Sequence, residues 1–223
     1  PGSTSRLSTV SQLKFTRDHS LPGQLDVLVT RAKILEPYIE AHPEKAEEFG
    51  LRNTFFSIDN SVKNYRGQLR GLRDPYLIAR RAKAEQALQD SIMAVDSLRS
   101  RYGNVLEEIE QLQRSKRVAA EKNNAFAAFS ATSIGSRVLT RAVYGYFYDT
   151  LKRRGAASDR LEDIREDAMN IKDWPAEVEA PFIAARLREI RSAFGPNDPT
   201  VRKIMSNRTP EQIADSLVQT SAL

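Results

Sequence analysis

The chain has no cysteine among its 223 residues. That excludes a disulfide framework, a thiolate metal site and a cysteine nucleophile together. Histidine is scarce as well. His19 and His42 are the only two, and neither has a partner at metal-ligand spacing, so both read as surface histidines. No apolar run approaches the roughly 18 residues of a membrane span, and no charged-then-apolar signal opens the sequence. Glycine and proline number ten each, too few to interrupt long helices often, and strand-like alternation is confined to residues 7–15 (LSTVSQLKF). No dinucleotide or phosphate-loop pattern is present, and nothing implies a cofactor or metal. Paired carboxylates such as Glu47-Glu48 and Glu107-Glu108 are neighbours in sequence, about 100° apart on a helix and unsuited to joint acid–base work. The chain as it stands is expected to carry no catalytic residue.

Ala, Leu, Arg, Glu, Lys and Gln dominate, with 40% hydrophobic and 28% charged residues, which is the composition of folded, helical material. The net charge is +5, but the 34 basic residues are interleaved with 29 acidic ones along helical patterns and read as solvated faces. No basic block alternates with aromatics, so neither nucleic acid nor a membrane is expected as partner. The periodicity predicts an all-α fold, an irregular antiparallel bundle of about seven to nine helices with a short N-terminal strand-like segment. Residues 1–19 are expected to stand apart as that strand-like piece, and residues 20–223 to form the helical domain. The helix after Ser20 carries a heptad seam of Leu21, Leu25, Leu28, Ala32, Leu35 and Ile39. The helix with Val138, Leu139, Ala142, Val143, Tyr146, Phe147 and Leu151 is apolar over a wide arc, begins after a boundary at 130–133, and is expected to be central. Trp174-Pro175 marks the start of another helix. The chain opens at Pro1-Gly2-Ser3-Thr4 without an initiator methionine, which reads as a processed chain or a segment of something longer.

One predicted helix carries two stripes. Leu51, Phe55, Ile58, Val62, Tyr65, Leu69 and Leu72 recur at spacings of four and three, the pattern of a buried face. Nearly opposite run Asn60, Asn64, Gly67 and Gly71, with Asn53 one heptad before Asn60. A merely solvated face favours Lys, Glu or Gln, since each mid-helix glycine costs about 1 kcal/mol relative to alanine. Such a stripe suits close approach of a ligand that wants directional hydrogen bonds, or equally a second helix crossing over small residues.

The run Phe56-Ser57-Ile58-Asp59-Asn60-Ser61-Val62-Lys63-Asn64-Tyr65-Arg66-Gly67, then Leu69-Arg70-Gly71-Leu72 and the Ala79-Arg80-Arg81-Ala82 helix, resembles the helical domain of bacterial dipeptidyl-peptidases of the 7 and 11 type. The opening Pro1-Gly2-Ser3-Thr4-Ser5-Arg6 and the Leu21-Pro22 helix resemble that family's last segment before the domain. The likeness covers most of the chain and is strongest from residue 1 to 88. It implies a helical domain inserted into a chymotrypsin-like double barrel, with the catalytic histidine and aspartate before it and the serine after it. It also implies that the domain covers the active-site cleft and that one of its asparagines helps hold the free α-amino group of the peptide substrate. That role falls to Asn60, with Asn64 as its neighbour in the same site. On this reading the partners are the substrate N-terminus and the parent's barrel, and the parent is exported to the periplasm or cell surface. The competing reading is a helical protein-interaction module that binds through its charged faces.

Overall fold

The computed structural model describes residues 8–127 and 135–221. Residues 1–7, the boundary expected at 130–133, and Phe129 and Ile134 beside it lie outside the described residues. Among the described residues the chain is all-α, with no strand. In chain order the helices are α1 (Val10–Phe15), α2 (Leu21–Ala41), α3 (Pro43–Glu48), α4 (Leu51–Leu72), α5 (Pro75–Met93), α6 (Asp96–Tyr102), α7 (Val105–Ala127), α8 (Arg137–Arg153), α9 (Ser158–Met169), α10 (Ala176–Phe194), α11 (Pro199–Met205) and α12 (Pro210–Ser221). They fall into two compact units. The first is Pro1–Asp26 with Ser61–Asn124, the second Val27–Asn60 with Ala125–Leu223.

Of the strand expected over residues 7–15, residue 7 lies outside the described residues, and among residues 8–15 no strand forms and Val10–Phe15 is helix α1. Its start is a capping box: the Thr9 hydroxyl accepts from the Gln12 N–H, and the Gln12 side chain accepts from the Thr9 N–H at 2.8 Å. Two orphan amides are satisfied at once, and this local signal overrides the weak alternation of the same residues. A π-helical turn, Thr16–Ser20, leads directly into α2, so no strand precedes the first long helix among the described residues.

Within the first unit, α1 packs on α5. Glu85 accepts the Val10 N–H at 2.8 Å and Arg81 donates to the Ser8 carbonyl at 3.0 Å. Gly23 accommodates a close approach of the Asn124 side chain. A Cβ there would lie 2.1 Å from Asn124 Nδ2, and that amide donates to the His19 carbonyl at 3.3 Å inside the π turn.

The second unit is built on α10. Ile183, Ala184, Leu187 and Ile190 of that helix are buried against Val201 and Met205 of α11 and Ile213 and Ala214 of α12. The expectation that α8 is central does not hold. Its apolar residues are spread over so wide an arc that they cannot all face one neighbour: α8 pairs with α9, Val138 and Leu139 reach the core, and Tyr146 and Phe147 are exposed. Trp174 and Phe182 form an edge-to-face pair at 5.2 Å, pinning the start of α10 as the Trp174-Pro175 signal implies.

The seam of α2 holds as read at Leu28 and Leu35, both buried, but it also contains a charge. Arg31 is 3% exposed, donates from Nη1 to the Val27 carbonyl at 3.3 Å, and lies 5.9 Å over the Phe182 ring. Among the described residues no carboxylate pairs with it, and its Nε has no partner. Burial pushes the guanidinium down to about 10, and burial together with the charge of Arg31 pushes that of Arg186 down to about 9. Arg31→Met keeps much of the stem and removes the charge, so it is expected to stabilise the chain by about 1–2 kcal/mol after loss of the ring contact. That corresponds to a melting temperature higher by roughly 2–8 °C. The folded-state value lies below the unfolded one, so above about pH 10 the unfolded chain binds more protons and wild-type stability climbs. The advantage of the methionine variant therefore narrows there. Urea titrations at about pH 7 and pH 10.5 check both parts, and a lower melting temperature for the variant refutes them.

Candidate functional site

Helix α4 starts after a tight turn in which Gly50 takes φ +64°, and it ends before Asp74, whose carboxylate accepts the Tyr76 N–H at 2.9 Å to cap α5. Between these stops the apolar stripe is buried as its spacing dictates. Leu51, Ile58, Val62 and Leu69 are buried, and Phe55, Tyr65 and Leu72 are half-buried. One face of the helix is thereby fixed, which sets the direction of the other.

On that other face Asn53, Asn60, Asn64 and Gly67 are exposed and Gly71 is half-buried. Asn60 and Asn64 stand one turn apart, about 6 Å along the axis and about 40° around it. Asn64 Oδ1 accepts a bond from Gln68 Nε2 at 3.2 Å, which leaves its NH2 group to donate. Among the described residues no hydrogen bond holds the Asn60 amide, so both its carbonyl and its NH2 are available. Within their unit, a Cβ built at Gly67 or Gly71 would meet nothing within 4 Å, so no helix crossing there accounts for these glycines.

The electrostatics of α4 limit what these amides can hold. Arg52, Lys63, Arg66 and Arg70 outnumber the single carboxylate, Asp59. An ammonium ion next to Asn60 gains a hydrogen bond from the carbonyl but meets a helix whose cations outnumber its one carboxylate, so the helix as a whole opposes its charge and full compensation calls for a further carboxylate.

Sequence reasoning missed Phe56 on this face. Its ring is 58% exposed and sits one turn before Asn60. The signal was its spacing of four from Asn60, hidden because Phe55 beside it belongs to the buried stripe. His42 is exposed and lies against Tyr38, with ring centroids 4.7 Å apart, and His19 is half-buried beside Phe15. Among the described residues no group of three or more His, Asp or Glu is placed to hold a metal, and no helix is long and apolar enough to cross a membrane.

No curated protein matches the chain. The family model of peptidase S46 matches it over residues 1–223. A helical chain whose most distinctive surface is an asparagine and glycine stripe on an anchored helix thus belongs to the peptidase S46 family, that of the dipeptidyl-peptidases of the 7 and 11 type.

Proposed function

We propose that this chain is the helical domain that covers the active-site cleft of a serine-type dipeptidyl-peptidase and reads the substrate N-terminus through Asn60. The observation that carries the reading is the exposed amide stripe on α4, on the face opposite its buried apolar residues. Asn60 Oδ1 accepts a hydrogen bond from the substrate α-ammonium, and the Asn64 NH2 donates to the first peptide carbonyl. The parent's chymotrypsin-like barrel supplies the histidine, aspartate and serine, and an acidic group that neutralises the ammonium. Two extended residues span about 7 Å, so an amine fixed at one end of the cleft sets the cut after the second residue. The parent works in the periplasm or at the cell surface.

The test is Asn60→Ala in the full-length parent. Loss of a hydrogen bond to a charged group is worth about 1.5–3 kcal/mol, so kcat/KM for dipeptide release is expected to fall roughly 10- to 100-fold. The melting temperature stays within about 1 °C of wild type because the side chain is exposed. The wild type also discriminates against substrates with an acetylated amino terminus, and the variant does so less. Equal activity of variant and wild type on free-amine substrates rejects the assignment.

A further inference from the structure

Phe56 stands on α4 one turn before Asn60, and both belong to the second unit. A spacing of four puts them about 6 Å apart along the axis and about 40° apart around it. The Phe56 ring is 58% exposed, and it meets the half-buried Phe55 ring edge-on at 6.2 Å. Arg52, a further turn back, has a stem long enough to cover the ring, yet its Nε lies 3.9 Å from Glu47. A lone exposed aromatic is ordinary on a protein surface. This one is informative by its place, on the side of Asn60 away from Asn64.

Both side chains leave the helix tilted toward its N-terminus, and phenylalanine reaches farther from the axis than asparagine. An ammonium hydrogen-bonded to the Asn60 carbonyl therefore lies at a height that the Phe56 ring also reaches. With the amine on Asn60 and the first carbonyl on Asn64, a group attached in front of the amine is directed at that ring. One extra residue there needs about 3.3–3.6 Å of extended chain. The hydrogen bond to Asn60 does not by itself exclude such a group, because an acylated amine keeps one N–H to donate.

We propose that Phe56 is the wall at the amino end of the cleft, excluding peptides acylated or extended at their amino terminus by collision with its ring. The inference rests on the reading of Asn60 as the amine acceptor and adds a steric part to it. Asn60 favours a free amine through a hydrogen bond, and Phe56 opposes whatever is attached in front of that amine. Discrimination built from one attractive and one repulsive element is stronger than either alone. The two parts respond to different properties of the substrate: the first to the charge and hydrogens of the amine, the second to the size of the blocking group.

The experiment measures kcat/KM of the full-length parent on one dipeptidyl p-nitroanilide with its amino terminus free, formylated, acetylated or propionylated. The three acyl groups abolish the charge equally and differ in size. Wild type is expected to lose activity steadily from formyl to propionyl. In Phe56→Ala that size dependence is expected to flatten, with the propionyl substrate gaining about tenfold, which is about 1.4 kcal/mol. Its activity on the free amine stays within about threefold, and Phe56→Trp keeps the size dependence. An unchanged size dependence in Phe56→Ala, or no cleavage of any acylated substrate by that variant, overturns the inference; if Asn60→Ala still impairs the free-amine substrate, the role of Asn60 stands without it. An equal fall on all four substrates with a lower melting temperature also overturns it and places the ring against the parent's barrel. So does a changed preference between leucine and glycine as first residue with the size dependence intact, which assigns the ring to the first side chain. Full free-amine activity in Asn60→Ala rejects the reading of Asn60, and the inference with it.

Discussion

Phe182→Ala is expected to cost about 4 kcal/mol, the largest loss available from a single truncation in the second unit. Phe182 is 1% exposed, and its ring serves two neighbours at once. Trp174 meets it edge-on, with planes at 78°, and the Arg31 guanidinium lies over its face. Truncation leaves a cavity beside the first turns of α10, removes the aromatic pair with Trp174, and strips Arg31 of the ring beside its buried charge. For a chain of this size the loss corresponds to a melting temperature lower by roughly 8–16 °C. Trp174 is the only tryptophan, so its emission reports on this place alone. Its emission is expected to move to longer wavelength in Phe182→Ala before any global unfolding. Phe182→Leu, which refills most of the volume, is expected to lose only about 1–1.5 kcal/mol. A loss below about 1 kcal/mol for the alanine variant, with unchanged emission, contradicts this account of the core. The contrast with Asn60→Ala is informative, since there activity is expected to fall while stability stays.

The buried stripe of α4 was legible in the sequence because Leu51, Ile58, Val62 and Leu69 share one period and one hydropathy. The amide and glycine stripe was legible for the opposite reason: those residues make no sense as a solvated face. The start of α1 was misread because β-branched alternation and a Thr9-to-Gln12 cap coexist in six residues, and the cap satisfies backbone groups that alternation alone leaves open. Arg31, Glu179 and Arg186 were not legible at all. Periodicity searches for apolar residues, and a charge on a buried seam looks like an interruption of it. The glycines at 67 and 71 are informative in the other direction, since nothing in their own unit needs them small.

Glu179→Ala is the second large loss, expected at about 3–4 kcal/mol, and its reasoning concerns donors more than the carboxylate itself. Glu179 is 1% exposed on α10, and its Oε1 accepts from the Ser136 hydroxyl and, at 3.0 Å, from the Val138 N–H. The Ser136 hydroxyl in turn accepts the Leu139 N–H at 3.0 Å, which caps α8. One buried carboxylate oxygen therefore holds both a cap residue and an otherwise unpaired amide of the first turn. It also faces the half-buried Arg137, whose guanidinium stacks 4.4 Å over Trp174; burial lowers that arginine's pKa and the charge of Glu179 partly restores it. Alanine leaves these donors buried without an acceptor and the Arg137 charge without its counterpart, and both effects are costly. Glu179→Gln keeps an oxygen in place for both donors and removes only the charge, so its expected loss is about 1–2 kcal/mol. Hydrogen exchange separates the two variants by location. The amides of Val138 and Leu139 are expected to lose protection first in Glu179→Ala and to keep most of it in Glu179→Gln. If glutamine proves as damaging as alanine, the pairing with Arg137 outweighs the hydrogen bonds, and α8 is held at its start by charge.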